Sequence, residues 1–283
     1  MLQYRFLTDA DRRAVYSAFL AAFSDYLVDM RMSHEQFDHR LLRDGIDMSK
    51  SVGVFEGNEM IGFCLNGVGT WGGERTIYDA GTGVVPQHRR HGIGKEMFNF
   101  MMPLLKEASF SLYLLEVITS NEPAVTLYRN LGFTDTRRLK VFRSKTRVEN
   151  LKISEAEVRE VAAPDWDLYK TFWDVNPSWQ NSVEAADRTA QHNVVLEAHI
   201  DGRCSGYGVV SSVSGNLYQL AVDRRNRRKG LGSSLLVELQ RRVVTTEPLK
   251  VNNVDAASTD SVRFYESSGF ELALEQYELI KTL

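Results

Sequence analysis

The hydrophobic positions in the first half of the chain follow two periods, which predict strands and helices in mixed order. Short apolar or alternating runs predict strands, whereas apolar residues three or four positions apart predict helices. The predicted strands are 3–7, 51–68 (a hairpin turning at Gly57-Asn58), 77–85, 111–118 and 137–143. The predicted helices are 10–23, 93–108 and 122–133.

Single residues mark the ends of these helices. Thr8 and Asp9 precede the first helix, and both residue types cap helix N-termini. Gly132 lies at the end of the third helix, where a glycine commonly terminates the last turn. Pro103 interrupts the second helical pattern, so we expect a kink or a break there.

The second half of the chain repeats this order of elements. The predicted strands are 158–161, 194–210 (a hairpin), 216–222 and 250–256, and the predicted helices are 164–173, 231–244 and 258–270. Strands and helices alternate, with a hairpin inserted between them. We therefore expect an α+β (mixed α/β) fold in which each half has a mixed, mostly antiparallel twisted sheet flanked by helices.

A glycine-containing segment occurs twice along the chain. "HRRHGIGKEMF" at 88–98 returns as "NRRKGLGSSLL" at 226–236, so that Arg89 and Arg227 are 138 residues apart. A period of this length exceeds that of solenoid repeats and equals the size of a domain. The repeat therefore predicts two copies of one fold.

A second repeated segment follows each glycine segment. "AVTLYRNLGF" at 124–133 returns as "SVRFYESSGF" at 261–270, with an offset of 137 residues. The change of one residue in the offset is what a loop deletion would produce. We predict domains at 1–147 and 148–283, joined in the polar stretch 144–153.

Composition and charge narrow the class of protein. The 283 residues are 43% hydrophobic and 25% charged, with a net charge of −3, which gives no global attraction to nucleic acid or an acidic membrane. Cys64 and Cys204 lie far apart in sequence, and we expect two buried free thiols. With no signal-peptide pattern and no run of about 20 apolar residues, we expect a cytoplasmic protein.

The glycine segments have the chemistry of a phosphate site. The first N–H groups of a helix lack intrahelical acceptors, and the helix dipole adds positive charge there. Gly92 and Gly94 permit a close approach to this backbone. Positive side chains surround the same point and complete a site for a di- or polyphosphate, namely Arg89, Arg90, His91 and Lys95.

Other phosphate motifs fit less well. The GxxxxGK[ST] loop is absent from both copies, and Met97 occupies the third glycine position of the dinucleotide fingerprint. The basic stretch 224–229 suggests nucleic acid, but the balanced total charge argues against it.

Both halves resemble the GCN5-related N-acetyltransferase superfamily. The glycine segments are similar to its R/Q-x-x-G-x-G/A loop, which wraps the pyrophosphate of acetyl-CoA, and the flanking strands and the "LY…LGF" or "FY…SGF" segments occur in the expected order. The resemblance covers most of both halves. It implies an acetyltransferase with two tandem domains and acetyl-CoA as co-substrate.

The first copy has a closer likeness. "LLEVITSNEPAVTLYRNLGF" at 114–133 looks like a segment of ribosomal-protein alanine N-acetyltransferases. The resemblance implies that Glu116 is the general base, that Asn121 contacts the pantetheine arm and that Tyr128 is the general acid. Only these roles are carried over, and not the ribosomal substrate.

The second copy departs from that pattern. Tyr265 keeps the acid position, but Asn253 stands in place of the glutamate and Ser258 in place of the asparagine. An asparagine side chain does not act as a base. Asp255 or Glu197 are alternatives for that role, and nothing in the sequence selects one of them.

The resemblance also implies which residues bind the cofactor. Backbone N–H groups near the ends of the two strands that precede the loops would orient the thioester. In the first copy the predicted cofactor-binding residues are Val84, Val85, Arg89, Arg90, His91, Gly92, Gly94, Lys95 and Asn121. In the second copy they are Ala221, Val222, Arg227, Arg228, Lys229, Gly230, Gly232 and Ser233.

These observations predict an acetyl-CoA-dependent N-acetyltransferase whose first half transfers acetyl to a primary amine. Two alternatives remain: the second half is the catalyst and the first its scaffold, or the protein is a non-catalytic acyl-CoA sensor. We expect a small-molecule or peptide amine as acceptor, no nucleic-acid or membrane partner, no metal, and a monomer or homodimer.

Overall fold

The computed structural model describes residues 1–148, 151–244 and 248–283. The chain divides into two compact units. The first unit contains residues 1–137 and 277–283, and the second contains residues 138–276. Within the polar stretch predicted to join the domains, residues 149 and 150 lie outside the described residues.

The first unit alternates strands and helices. Its first elements are β1 (Leu2–Phe6), α1 (Arg12–Ala22), α2 (His34–Asp44), β2 (Val52–Glu56), β3 (Glu59–Trp71) and β4 (Glu74–Val84). They are followed by α3 (Ile93–Glu107), β5 (Leu112–Ile118), α4 (Glu122–Asn130) and the start of β6 (Thr134–Ser144). The end of the chain returns to this unit, where the Leu283 N–H donates to Ser111 O at 3.0 Å.

The sheet of the first unit runs in the order β1-β2-β3-β4-β5. The first four strands are antiparallel, whereas β4 and β5 are parallel. Their pairing extends only from Thr76–Leu112 to Asp79–Leu115. Beyond that point β4 continues to Val84 without pairing to β5, so the two strands diverge and leave an opening in the sheet.

Helices α1 and α3 cover opposite faces of this sheet. Phe63 of β3 lies against Phe19 of α1, with 6.0 Å between ring centroids. A Cβ on the preceding residue, Gly62, would contact Ile93 of α3 at 3.4 Å. Because consecutive residues of a strand point to opposite faces, the two helices lie on opposite sides of the opening.

The second unit repeats this arrangement. Its elements are β7 (Glu157–Glu160), α5 (Trp166–Lys170), α6 (Val183–Arg188), β8 (Asn193–Ile200), β9 (Arg203–Ser211), β10 (Leu217–Val222), α7 (Leu231–Arg242), β11 (Lys250–Asp255), α8 (Thr259–Ser267) and most of β12 (Phe270–Thr282). Strands β10-β9-β8-β7 form an antiparallel sheet, and β11 pairs with the end of β6. Tyr207 stacks on Tyr169 of α5, whereas the adjacent Gly208 faces Leu239 of α7.

The predicted fold class is confirmed, since the chain has mixed α/β architecture with flanking helices in two similar units. Helix α3 continues through Pro103, so the break allowed for there does not occur. Helices α2 and α6 and strand β12 have no counterpart among the predicted elements. No described helix is long and apolar enough to cross a membrane.

Candidate active site and cofactor loops

The two glycine loops have the same backbone conformation. Arg90 and Arg228 have φ of 66° and 63°, and Gly92 and Gly230 have φ of 77° and 87°. Positive φ is uncommon for an arginine, so its occurrence at both equivalent positions indicates that the two loops adopt the same backbone conformation for the same structural reason. Each loop ends in a helix, α3 or α7, whose first N–H groups point into the loop.

The arginine that opens the first loop fixes its shape. Arg89 Nε donates to Val84 O at 3.1 Å, and its Nη2 donates to Ala22 O at 2.7 Å. The same guanidinium binds both oxygens of Asp25, at 2.7 and 2.8 Å. Arg89 therefore joins the end of β4 to the end of α1 and holds the loop in place.

Arg227 makes the equivalent bonds in the second unit. Its Nε donates to Val222 O at 3.0 Å and its Nη2 to Phe172 O at 3.1 Å. Its Nη1 donates to Asp174 at 2.7 Å. The likeness of the two loops therefore extends to the hydrogen bonds that support them.

The remaining cations of the loops are available to an anionic ligand. Each of them is exposed at the N-terminus of α3 or α7: Arg90, His91, Lys95, Arg228 and Lys229. A Cβ on Gly92 would have no atom within 4 Å, so the backbone of the first loop is open to a ligand. A Cβ on Gly230 would lie 2.8 Å from backbone atoms of Ile153 and Ser154, so this segment covers the second loop at that point. Backbone amides and exposed cations at one helix end fit a pyrophosphate.

The second glycine of each loop has a packing role. A Cβ on Gly94 would lie 3.3 Å from Leu127 of α4, and one on Gly232 would lie 3.2 Å from Phe264 of α8. These glycines therefore let each loop helix approach the following helix closely. Ser233 is the next residue of the second loop and lines a cavity of the second unit.

Near the end of the strand before each loop, one backbone N–H points away from the neighbouring strand and is left for a ligand. The Val85 N–H donates to Ile61 O at 2.9 Å and is used within the sheet. Successive N–H groups of a strand point in opposite directions, so that of Val84 points away from β3. The Asp223 N–H makes the matching bond to Ser205 O, which leaves Val222, next to Ala221, in the position of Val84.

Glu116 lies on β5 just beyond the last pair between β4 and β5. Tyr78 of β4 donates a hydrogen bond to its Oε2. Its Oε1 is buried and has no hydrogen-bond partner among the described residues. Burial raises the pKa of Glu116 to about 8. A carboxyl group with an unused buried oxygen at an opening in the sheet is suited to receive a proton or an amine.

Tyr128 of α4 is held by Asp79, the residue after Tyr78. Its hydroxyl donates to Asp79 Oδ2 at 3.2 Å, and Thr82 Oγ1 donates to the same oxygen at 2.8 Å. The Gly81 N–H donates to Asp79 Oδ1 at 2.9 Å. Burial raises the pKa of Asp79 to about 6, and burial beside Asp79 raises the pKa of Tyr128 well above its ordinary value.

Glu116 and Tyr128 therefore lie on opposite faces of the sheet. Their partners Tyr78 and Asp79 are consecutive residues of β4, whose side chains point in opposite directions. Asn121 is on the same helix as Tyr128 and forms its N-cap, accepting from the Ala124 N–H at 3.3 Å. Its Nδ2 also donates to Tyr26 Oη at 3.2 Å.

The second unit contains a cavity of about 510 Å³ beside its loop. Loop residues Arg227, Gly230 and Gly232 line it, and so does Tyr265. The Tyr265 hydroxyl makes no hydrogen bond within the described part of the chain, and burial raises its pKa. The cavity is therefore lined both by a loop suited to bind phosphate and by a tyrosine whose hydroxyl has no hydrogen-bond partner among the described residues.

Amides replace the carboxyl groups of the first unit here. Asn253 has φ of 56°, its Oδ1 accepts from Gln276 at 2.7 Å, and its Nδ2 is buried without a partner among the described residues. Gln219 is equivalent to Asp79, because each follows a tyrosine in its strand. Its Oε1 accepts a hydrogen bond from the Tyr207 hydroxyl, and its Nε2 donates to Asn181 O. Ser258 is the N-cap of α8.

Of the two alternative bases in the second unit, only Asp255 lines the cavity. The carboxylate of Glu197 accepts from Tyr169 at 2.7 Å and contacts His199 at 2.7 Å. Although burial raises the pKa of Glu197, these two hydrogen bonds lower it below its ordinary value.

One cluster of the second unit has metal-ligand chemistry. Ligand atoms of Glu197, His199 and Cys204 lie within 4.8 Å of one another. The Glu197 carboxylate already bonds to Tyr169 and His199, and Arg159 is 3.6 Å away. That no metal takes part in the function stays a prediction.

Several residues of the site were not found from the sequence. Asp79 and Tyr78 hold the tyrosine and the glutamate, and Arg40 of α2 lies beside them. The signal for Asp79 was a charged residue inside the apolar strand "IYDAGTGVV". Arg40 and Tyr26 carry no such signal, because their roles depend on contacts far along the chain.

Comparison with protein families gives two adjacent matches. Residues 13–133 match the sequence model of the acetyltransferase (GNAT) family, and residues 160–278 match that of the acetyltransferase (GNAT) domain. No curated protein matches the chain significantly. The two matched segments together cover most of the chain and contain both loops and both tyrosines.

Three solved structures are similar along the full chain. The tandem GNAT protein from the clavulanic acid biosynthesis pathway, without AcCoA, has 13% identity and a TM-score of 0.74, covering 100% of this chain and 98% of that one. The GCN5-related N-acetyltransferase from Sphaerobacter thermophilus has 17% identity and a TM-score of 0.74, covering 99% and 95%. The one from Kribbella flavida has 15% identity and a TM-score of 0.59, covering 100% and 71%. At these identities the likeness shows the fold.

Proposed function

The chain belongs to the GNAT acetyltransferase family and contains two of its domains in tandem, and we propose that its first unit transfers an acetyl group from acetyl-CoA to a primary amine. One observation carries this proposal. Tyr78 and Asp79, consecutive on β4, hold a carboxyl group and a tyrosine on opposite faces of the same opening. Two reactants entering from the two faces would each meet one proton-transfer group.

The amine side of the reaction needs a proton acceptor. An alkylamine is mostly protonated at neutral pH and is not nucleophilic until it loses that proton. Glu116 Oε1 is buried and has no hydrogen-bond partner in the part of the chain that the structure describes, and so is suited to take the proton. Because burial raises its pKa to about 8, ionised Glu116 is a stronger base than an ordinary carboxylate.

The thioester side needs a donor for the leaving group. Acetyl-CoA supplies the acetyl thioester, and the bond to sulfur breaks as the bond to nitrogen forms. Tyr128 keeps its proton throughout the neutral range because its pKa is raised well above 10 by burial and by Asp79. It can deliver that proton to the departing sulfur, while the Val84 N–H polarises the carbonyl oxygen. The nitrogen, which has lost its first proton to Glu116, loses its second to solvent as the amide forms, and solvent returns a proton to Tyr128.

We expect kcat/KM to rise with pH and to level off above about pH 8. The base must be ionised to accept a proton, and the pKa of Glu116 is raised to about 8. An alkylamine acceptor keeps its own proton to about pH 10, so its titration lies above that of Glu116 and can be distinguished from it. Initial rates across pH 5.5–9.5 measure this, and a flat profile would contradict the assignment of Glu116.

Calorimetric titration with acetyl-CoA tests cofactor binding, and we expect one site per chain, at the first loop, because backbone atoms of Ile153 and Ser154 cover Gly230 in the second. Both loops share one conformation and one supporting arginine network. Arg90→Glu and Arg228→Glu form a matched pair, since both arginines are exposed at equivalent positions. Arg90→Glu should weaken binding about tenfold, and Arg228→Glu should leave it unchanged. A titration without binding would refute the proposed function.

A second candidate places the reaction in the second unit. Its cavity of about 510 Å³ contains loop residues together with Tyr265 and Asp255, and this observation favours it. Asp255 would then be the base. The variants Tyr128→Phe and Tyr265→Phe distinguish the two units, because each removes the proposed acid of one unit.

A further inference from the structure

Arg40 projects from α2 onto the irregular part of β4. Between the pairs Leu65–Gly81 and Asn66–Asp79, Ala80 is an extra residue, so β4 bulges there. Arg40 Nη2 donates to Ala80 O at 2.7 Å. The same nitrogen would be 3.9 Å from a Cβ on Gly81. The guanidinium therefore lies over the bulge, immediately before the opening between β4 and β5.

The positive charge of Arg40 is not neutralised by a hydrogen-bonded carboxylate. The nearest acid is Asp44, whose Oδ2 is 3.8 Å from Arg40 Nε. Both oxygens of Asp44 instead accept hydrogen bonds from Arg43, at 2.7 and 2.9 Å. Because both oxygens of Asp44 already bond to Arg43, Arg40 shares this carboxylate only as a longer ion pair and makes no hydrogen bond to it.

Most of the donor capacity of Arg40 is unused. A guanidinium has five N–H donors, and within the described part of the chain Arg40 uses one of them, toward Ala80 O. Its side chain is 22% exposed, so the remaining donors reach a solvent-accessible space. Buried polar groups are normally hydrogen-bonded, and a largely buried guanidinium with open donors is therefore suited to an anionic ligand.

Arg40 also lies on the side of the sheet where the base is found. Its guanidinium lies over the ring of Phe19 of α1, with 5.4 Å from Cζ to the ring centroid. Burial lowers the pKa of Arg40, and the nearby charges of Asp44, Tyr78 and Glu116 oppose that effect. The cation and the unpartnered Oε1 of Glu116 thus belong to one site, on the face opposite Tyr128.

We propose that the amine acceptor carries a carboxylate, which binds the open N–H donors of Arg40 while its amine lies at Glu116. This inference rests on the proposed function of the first unit. Two parallel N–H bonds to a planar carboxylate are the geometry that a guanidinium favours. The acceptors are then amino acids or similar carboxylate-bearing amines, and Arg40 is a specificity-determining residue.

The test compares matched acceptors that differ only in the carboxylate. The pairs are L-phenylalanine with phenethylamine, L-tyrosine with tyramine, and L-lysine with cadaverine, assayed by CoA release from the full-length protein. We expect kcat/KM for the better amino acids to exceed that of the paired amine about 10- to 100-fold. In Arg40→Met the ratio of kcat/KM within each pair should fall close to one, and in Arg40→Lys it should lie between one and the value of the parent protein.

The ratio within a pair does not depend on how much enzyme is folded, so a destabilised variant remains informative. Arg31→Met is the control, because Arg31 is exposed and its one ion pair among the described residues is with Asp29 on its own loop. Equal kcat/KM within every pair, or a ratio that survives Arg40→Met, would overturn the inference while leaving the proposed function intact. Turnover of neither amino acids nor amines would instead contradict the proposed function.

Discussion

Replacing Glu116 with glutamine is expected to lower kcat for acetyl transfer by about 10²- to 10⁴-fold, the range for loss of a general base. The change keeps the size of the side chain and the hydrogen bond to Tyr78 but removes the proton acceptor. The affinity for acetyl-CoA should not change, because the loop at Gly92 is separate from Glu116. Steady-state kinetics and calorimetry on the same preparation measure both quantities.

The stability of the Glu116→Gln variant separates loss of the base from loss of the fold. Because burial raises the pKa of Glu116 in the folded chain, the folded state keeps a proton that the unfolded state releases. Stability is therefore lost as pH rises from about 4.5 toward 8, and the glutamine variant avoids that loss. Its Tm should exceed that of the parent protein at pH 9 and match it near pH 4.5.

Glu107→Gln is the matched control, since Glu107 is an exposed residue at the end of α3. It should leave kcat, Tm and cofactor affinity unchanged. An unchanged kcat in Glu116→Gln would refute the base role and direct attention to Asp79, the other buried carboxyl group at the opening. A kcat loss accompanied by lower Tm at pH 9 would contradict the burial argument.

The features that the sequence predicted well depend on local pattern. The glycine loops require particular residues at fixed spacing, and the 138-residue repeat doubled that signal. Alternating and helical periods located most strands and helices because each is decided within a few residues. Pro103 shows the limit of such rules, since α3 continues through it while packing on the sheet.

Two missed elements did carry local signals. Ser33 and Gln36 form a capping box at the start of α2, and Gly45 ends it with φ of 71°. The segment is polar overall, which concealed the apolar stripe of Phe37 and Leu41. Strand β12 alternates apolar and polar residues, but it belongs partly with residues at the other end of the chain.

The site itself was predicted only in part, for a physical reason. Glu116 and Tyr128 were identified through a family resemblance, whereas the residues that position them depend on tertiary contacts. Asp79 is 49 positions from Tyr128, and Arg40 is 40 positions from Ala80. Such pairs leave no periodic trace in one sequence, because only the folded chain brings them together.

Tyr128→Phe is expected to lower kcat about 100-fold, whereas Tyr265→Phe should change it less than twofold. The two variants remove the same atom from equivalent helices, so they compare the two units directly. Tyr128 is positioned by Asp79, in the unit that also contains Glu116. Tyr265 has no hydrogen-bond partner in the described chain, and Asn253 and Gln219 replace the carboxyl groups beside it.

Asp79→Asn extends the comparison, because an asparagine keeps the size of the side chain but not the charged acceptor for Tyr128. It should reduce kcat by less than Tyr128→Phe does. In the double variant kcat should fall little further, since the aspartate acts only by positioning the tyrosine.

The reverse result, in which Tyr265→Phe abolishes turnover and Tyr128→Phe does not, would move the reaction to the cavity of the second unit. Asp255 would then be the base, and the paired carboxyl groups of the first unit would need another role. Partial loss of activity in both tyrosine variants would mean that each unit turns over independently, whereas complete loss in both would mean that each unit depends on the other. The loop variants Arg90→Glu and Arg228→Glu check which case holds.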